Sequence, residues 1–575
     1  MLKLLRHLKV FRWAIIISVT MTMLRSMAEL SLPTLSADLV NIGIVNGDIP
    51  YIWRIGLRML LFATIGVAAF ILSSYLASKV SAGFARLLRE KIFTHVENFS
   101  LHEFNRFGTA SLINRTTNDI TQIQGFLEYG LRMMVTAPTM CLGSIALAFY
   151  RDATLALVFV AISPLIIVLI FLISRKAFPL FESIQTRLDS LNLIVRELLT
   201  GMRVIRAFNR EKYEQSRFQA ANHGYAITSI RVNRMMGAMW PLMSLVINMT
   251  IISIVWFGGI RVDLGYTNVG DLMAFIQYAM HVVFSFMIIT MMFVMIPRAA
   301  VSANRINEVL DTATKIKDAA NPREADKKEG RVEFKNVTFS YPGAERPVLS
   351  DISFCAAPGE IIGIIGSTGS GKSTLMNLML RFYDIEKGSI LIDGIDIREM
   401  ELEHLRAMIG YVPQKAVLFS GTVQENIRHG KENAHEDEIS WAAKIAQAAG
   451  FISHMQEGFS SWLAQGGKNI SGGQKQRLSI ARALVRKPFI YIFDDIFSAL
   501  DYKTEARLRQ SLYKEVVDST VFIVSQRVGT IKNASRIIVL EEGRIAGIGS
   551  HSALLDECAV YREIVASQLS EEETA

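Results

Sequence analysis

The 575-residue sequence has little cysteine. Cys141, Cys355 and Cys558 stand far apart, with no paired spacing and no histidine cluster beside them. That excludes a disulfide framework and a zinc site as organising features. Charge is scarce as well, at 20 % of residues against 51 % hydrophobic. The shortfall is confined to residues 1–310, where long apolar runs alternate with basic stretches; beyond 331 the composition is that of an ordinary α/β domain. Within the apolar runs, formal charge is read as scarce apart from Arg54 and Arg58, and no mid-run carboxylate is expected, so no proton or sodium relay is read. The N-terminus lacks a small-residue cleavage site and its apolar stretch outruns a signal-peptide core, so it reads as a retained membrane helix. The net charge of +8 then reads as membrane-protein loops on one side of a bilayer, with no nucleic-acid partner.

Crossing a bilayer core of ~30 Å takes ~20 apolar residues. Six windows qualify, at roughly 12–35, 55–77, 131–150, 154–174, 238–260 and 272–296. Short links join the first to the second, the third to the fourth and the fifth to the sixth; the other two links are long. Lys and Arg crowd the N-terminus (Lys3, Arg6, Lys9, Arg12) and the long links (Arg86, Arg89, Lys91; Arg203, Arg206, Arg210). Both termini and the long links are therefore expected in the cytoplasm, and the chain in a bacterial plasma or inner membrane. The stretch 73–99 keeps helical spacing without proline, so the second span should continue as one helix to about residue 99, far beyond the bilayer. The sixth span carries Gln277, Tyr278 and His281 among six methionines and four phenylalanines. Such a surface packs against helices or repacks around varied apolar ligands.

Residues 313–330 are polar, charged and broken by Pro322 and Gly330, a linker by composition. This divides the chain into 1–312, an all-α domain of six transmembrane helices with long cytoplasmic extensions, and 331–575, an α/β domain. In the latter, "IIGIIGSTGSGKSTLMNLML" (361–380) is a strand, a glycine-rich turn and a helix. Gly366, Gly371, Lys372 and Ser373 fit the phosphate-loop pattern G-x-x-x-x-G-K-[ST]. Glycines let backbone N–H groups converge on one anion at a helix N-terminus. Lys372 would reach the β- and γ-phosphates of ATP, and Ser373 would bind Mg²⁺. The apolar strand "FIYIF" (489–493) delivers Asp494 as the second half of the metal site. "KNISGGQKQRLSIARAL" (468–484) offers a second anion-binding helix start at Ser471, Gly472 and Gly473. One nucleotide does not need two such ends from the same chain, which suggests two chains head to tail.

These motifs together resemble the ATP-binding cassette (ABC) transporters of exporter type, over nearly the whole chain. The resemblance implies that Tyr341 in "FSYPG" stacks on adenine. Gly366, Ser367, Thr368, Gly369, Ser370, Gly371, Lys372, Ser373 and Thr374 would hold the phosphates. Gln414 in "YVPQ" is similar to the glutamine that senses Mg²⁺ and the membrane domain. Ile470–Gln474 resemble the signature motif, with Gln474 closing it, and Ser498–Asp501 resemble the D-loop. Two segments, 108–124 and 197–214, resemble the intracellular loops that bear coupling helices.

Three positions depart from the family pattern. The residue after Asp494, normally the glutamate that orients or deprotonates water, is Asp495. The switch histidine is replaced by Gln526 in "IVSQRVGTI", and an acid before the signature by Gln465. Aspartate is one methylene shorter, about 1.5 Å back, and a misplacement of ~1 Å costs ~100-fold in rate. Glutamine cannot become cationic beside the γ-phosphate. The reading that follows is one subunit of a heterodimer that exports small amphipathic, multidrug-like compounds. This chain's own pocket would hydrolyse slowly, and its signature would complete the competent pocket of a second half-transporter. An ATP-gated channel, a membrane-bound nucleotide sensor and a homodimeric lipid or peptide exporter are the alternatives.

Overall fold

The computed structural model describes residues 2–325 and 327–568. The chain forms two compact units, one from Met1–Val96 and Ala110–Thr312, the other from Glu97–Thr109 and Ala313–Ala575.

Among the described residues of the first unit, six helices are long and apolar enough to cross a membrane. Helix α1 (Arg12–Asp38) is followed by α2 (Ile49–Glu97); after a short helix α3 (Leu101–Phe107) come α4 (Ile120–Arg151), α5 (Ala153–Ala207), α6 (Glu211–Asp263) and α7 (Val269–Asp311). The 49 residues of α2 span roughly 74 Å, more than twice a bilayer core. At the short-linked ends the helices are tied by ion pairs. Arg151 reaches Asp38 at 2.6 Å and Asp271 at 3.0 Å. Asp152 caps α5 through the N–H groups of Thr154 and Leu155 and also accepts from Arg261 at 2.6 Å. Capping satisfies N–H groups that the first helical turn leaves free, and the guanidinium stops the carboxylate from being a lone charge. Beneath this layer Phe159 stacks on Phe275 at 5.9 Å within a buried apolar cluster.

Two expectations are corrected here. A carboxylate does sit mid-span: Arg25 and Glu29 lie near the centre of α1, with Arg25 Nε 3.5 Å from Glu29 Oε2. Being four apart they share one helix face and offset each other, so an average over twenty residues hides them. Arg132 lies inside α4 in the same way. Second, the helix that joins the other unit is α3, just before the expected 108–124 segment. Residues 110–124 stay with the first unit, where Ser302 Oγ donates to the buried Asp119 at 2.8 Å. The 197–214 segment also stays there, as the end of α5, a turn with Asn209 at φ +52°, and the start of α6.

The second unit begins in the stretch read as a linker. Its described residues form no regular structure but are held down: Leu402 N–H donates to Asp318 at 2.8 Å and Arg323 to Glu399 at 2.8 Å. Then follow β1 (Val332–Phe339), β2 (Leu349–Ala356), β3 (Ile361–Gly366), α8 (Lys372–Met379), β4 (Lys387–Ile392), β5 (Ile395–Asp396) and β6 (Ile409–Val412). A two-stranded ribbon of β7 (Gly421–Thr422) and β8 (Trp462–Leu463) precedes α9 (Gly472–Leu484), β9 (Ile490–Asp494), α10 (Tyr502–Glu515), β10 (Thr520–Val524), β11 (Arg536–Glu541) and β12 (Arg544–Gly549). One sheet is antiparallel, in the order β2-β1-β4-β5. The other runs β12-β11-β3-β10-β9-β6, parallel except for β12 on β11. Every residue of β9 and β10 is buried, as parallel strands covered on both faces require. Phe493 and Phe522 on these strands each contribute roughly 2–3 kcal/mol by burial. The parallel register brings Asp494 level with Val524, so the carboxyl ends of β3, β9 and β10 open onto one crevice.

Candidate functional site

Strand β3 lies between β11 and β10, and its last residue can only be glycine. A Cβ on Gly366 would stand 2.1 Å from the Leu540 carbonyl oxygen and 2.6 Å from Ser370 Oγ. The loop Ser367–Gly371 then turns through positive φ at Gly369 (+87°) and Gly371 (+99°) into α8. Lys372, 8 % exposed, folds back over the loop and donates to the carbonyls of Gly366 at 2.8 Å and Ser367 at 2.7 Å. Burial lowers its pKa, against the opposing charges of Asp494 and Asp495. These neutral loop carbonyls hold the ammonium.

Ser373 Oγ donates to Asp494 Oδ1 at 3.2 Å. Asp494 is 4 % exposed, and burial raises its pKa, with the Asp495 charge adding and Ser373 and Lys372 opposing. A buried carboxylate of raised pKa beside a serine hydroxyl is a group short of positive charge. Asp495 comes next, at φ +48°, a left-handed conformation that short polar side chains tolerate. Its N–H donates to Val524 O at 2.9 Å, and its Oδ2 accepts from Gln414 Nε2 at 3.1 Å. Tyr341 places its hydroxyl 3.0 Å from Thr374 Oγ1 and packs edge-on against Phe339 and Tyr383.

Tyr341, Thr368, Gly369, Gly371, Lys372, Ser373, Thr374, Gln414, Asp494, Asp495 and Gln526 all line one cleft of about 390 Å³. Gly366, Ser367 and Ser370 do not line it, but all three accept hydrogen bonds from Lys372, which does. The fold therefore gathers Tyr341, the phosphate loop, Gln414, the strand-end acids and Gln526 from five separate segments.

The signature residues are not in that cleft lining. Ser471 caps α9 by accepting from Gln474 N–H at 3.3 Å, and Gln474 Oε1 accepts from Ser471 N–H at 2.9 Å, a reciprocal box. Gly472 faces open space, whereas a Cβ on Gly473 would lie 3.0 Å from the Ala499 carbonyl, so the signature rests on the Ser498–Asp501 loop. Gln465 opens a short 3₁₀ turn just before it.

One residue escaped the sequence reading. Gln568, near the C-terminus, donates from Nε2 to Gln526 O at 2.7 Å and accepts at Oε1 from Val528 N–H at 2.9 Å. This two-point clamp fixes the backbone on which the Gln526 side chain is carried. No local pattern marks such a residue, because its partners are forty positions away.

The second unit also holds α3. Ser100 and Glu103 form a capping box there, and Asn105 donates to Tyr383 Oη at 3.3 Å, beside Tyr341.

Residues 15–287 match the family described as the ABC transporter transmembrane region, and residues 349–498 the family described as ABC transporter. An uncharacterized ABC transporter ATP-binding protein of Mycobacterium tuberculosis is 41 % identical over 573 residues, 99 % of this chain and 98 % of that one. An ATP-dependent lipid A-core flippase of Hahella chejuensis is 32 % identical over 512 residues, 89 % of this chain and 87 % of that one. Among solved structures, a bacterial Atm1-family ABC exporter with ATP bound superposes with a TM-score of 0.81 at 27 % identity, covering 98 % of this chain and 99 % of the other.

Proposed function

The chain belongs to the ABC transporter family, as an exporter with fused transmembrane and ATP-binding parts, and from that premise we propose that it is the slow-site subunit of a heterodimeric exporter of amphipathic compounds. The observation that carries this reading is the state of the acid after β9. Asp495 is short, held in a left-handed turn and hydrogen-bonded to Gln414, and the residue across the cleft is Gln526, not an imidazole. Such a pocket retains the means to bind ATP and loses the means to activate water.

The residues present fit Mg²⁺. Ser373 and Asp494 supply hard oxygen donors at the buried end of the cleft, with Gln414 as a third. Among the described residues no cluster of three His, Cys, Asp or Glu side chains exists that could hold a metal unaided, so phosphate and water oxygens would complete the shell. When bound, the ion neutralises phosphate charge. Lys372 would exchange its loop carbonyls for the β- and γ-phosphates. Tyr341 would place its ring against the base.

The signature, whole and turned outward at Gly472, would close the pocket of the second chain. ATP-driven closure of the two nucleotide units would open the membrane part outward, and hydrolysis in the partner's pocket would reset it. Basic N-terminal and long-link segments support cytoplasmic termini in a cell membrane. Purifying the chain with and without a companion half-transporter tests the proposal. Brisk ATP turnover by the chain alone, abolished by Asp495→Asn, would overturn it.

A further inference from the structure

We propose that the basic ends of α1 and α2 form a binding site for the headgroup of an anionic phospholipid, centred on Arg12, Trp13, Tyr75 and Lys79. The two helices run in opposite directions and are pinned by small polar side chains, with Ser18 Oγ donating to Ser73 O at 3.1 Å. Arg12 and Lys79 each lie six residues beyond that contact toward the same end, about 9 Å along either helix axis. They therefore stand at one height. The pairing continues past them, since a Cβ on Gly83 would meet the Phe11 ring at 2.8 Å and Lys91 Nζ lies 3.1 Å from His7 Nδ1.

That height is also where both helices change character. On α2, Leu57, Leu61, Ile71 and Tyr75 recur at helical spacing and share one exposed face. The same face continues as Lys79, Arg86 and Arg89, all exposed. On α1 the exposed Ile16 and Ile17 give way to Trp13, 66 % exposed, and then to Arg12. An exposed face that turns from apolar to aromatic to basic within about one turn marks the boundary between acyl chains and headgroups. Each aromatic there carries a cation. The Arg12 guanidinium stands 5.5 Å from the Trp13 ring centroid, and Lys79 Nζ 5.8 Å from that of Tyr75. The rings hold both charges at the boundary.

The protein does not meet this charge itself. Arg6, Lys9, Arg12, Lys79, Arg86 and Arg89 are exposed, and among the described residues no ion pair joins any of them to a carboxylate. Two acids on the packed elements stand against them: Glu90, one turn beyond Arg86, and Glu128 of α4, which accepts from Ser78 at 3.1 Å. Six cations against two acids leave the patch positive. Lys3 is not counted, being paired with Asp311. An anionic phospholipid fits both halves of the surface. Its phosphate meets the guanidinium and the ammonium, and its acyl chains lie along Ile16, Ile17 and Ile71. A soluble anion would use the first half alone.

The test is native mass spectrometry of the full chain, with any companion subunit that co-purifies, taken from micelles equilibrated with equal amounts of phosphatidylglycerol and phosphatidylcholine. Phosphatidylglycerol should be retained preferentially. One cation near a membrane surface changes binding about fivefold. Arg12→Gln and Lys79→Gln should therefore each weaken retention by about that factor, and together by about twentyfold. Arg12→Lys keeps the charge and should keep most of the retention. Arg54→Gln, an exposed arginine at the opposite end of α2, should leave it unchanged. ATP binding measured on every variant shows that the chain is folded, so lost retention with ATP binding kept is the supporting result. Equal retention of the two lipids, or phosphatidylglycerol retention indifferent to the double variant, overturns the proposal. Displacement of the lipid by inorganic phosphate would make the patch a site for a free anion and overturn it as well.

Discussion

Lengthening the acid after β9 isolates what the aspartate costs. In Asp495→Glu the carboxylate moves out by ~1.5 Å, and a correction of ~1 Å in a catalytic group is worth up to ~100-fold, about 2.7 kcal/mol of barrier. Two features of the structure reduce that gain. The residue sits at φ +48°, where a longer side chain that cannot bond its own backbone is disfavoured by about 1–2 kcal/mol. The existing carboxylate also accepts a hydrogen bond from Gln414 at 3.1 Å, whose loss removes about 1 kcal/mol. Together these consume most of the benefit, so the single substitution should raise turnover of the isolated chain by less than about tenfold. Gln526→His alone should likewise do little, because an imidazole without a well-placed acid lacks its partner. Since both side chains line one cleft, the double variant should exceed the product of the singles, a coupling measurable as a double-mutant cycle in single-turnover ATP hydrolysis. Additive effects, or full activation by Asp495→Glu alone, would refute the reasoning.

Other consequences are equally open to measurement. Gly366→Ala should abolish ATP binding, since its Cβ would meet backbone oxygen at 2.1 Å, whereas Gly450→Ala, with nothing within 4 Å, should bind normally; retained binding in the former would show the loop to be more pliant than described. Gln568→Ala should raise amide exchange across 526–530 by about tenfold, the equivalent of about 1.4 kcal/mol from two lost hydrogen bonds, with ATP affinity within about twofold; unchanged exchange would remove the clamp. For Glu360, burial raises the pKa, but hydrogen bonds from Arg536 and the Ala357 N–H more than offset it, leaving the pKa lowered. A lowered folded-state pKa gives stability that is present above the unfolded value and lost as pH falls through the folded one. Glu360→Gln should therefore lower the apparent melting temperature by roughly 2 °C at pH 7, about 1 kcal/mol after screening of the part-exposed Arg536. The gap should shrink as pH falls below the ordinary carboxylate range and close once the folded-state group is protonated, and a gap unchanged by acid would contradict the assignment.

The nucleotide cleft was legible because its chemistry is local. A glycine pattern between an apolar strand and an apolar helix can do little else, and an apolar run ending in Asp494 and Asp495 points its acids to a strand tip. Helix number was legible for a similar reason, since bilayer thickness fixes the length of the runs. What stayed hidden depends on distant partners. Arg25 and Glu29 vanish in an average over their span, and only the fold brings Arg132 within 5.8 Å of the centre of the Phe70 ring. Gln568 gains meaning only where the chain's end meets the loop after β10. Helix α3, which falls in the second unit, was not read as a separate element, and Gly108, at φ +73°, ends it just where the 108–124 segment begins. The signature residues, for their part, do not line the cleft of their own chain.

That separation supplies the most direct measurement. In the proposed heterodimer, Lys372→Ala would disable this chain's phosphate loop, and Ser471→Arg would block the signature proposed to close the partner's pocket. Steady-state ATP turnover should stay within the same order of magnitude for the first and fall by at least about 100-fold for the second. Equal losses from the two substitutions would mean that both pockets share the work, and the assignment of a slow site to this chain would fail.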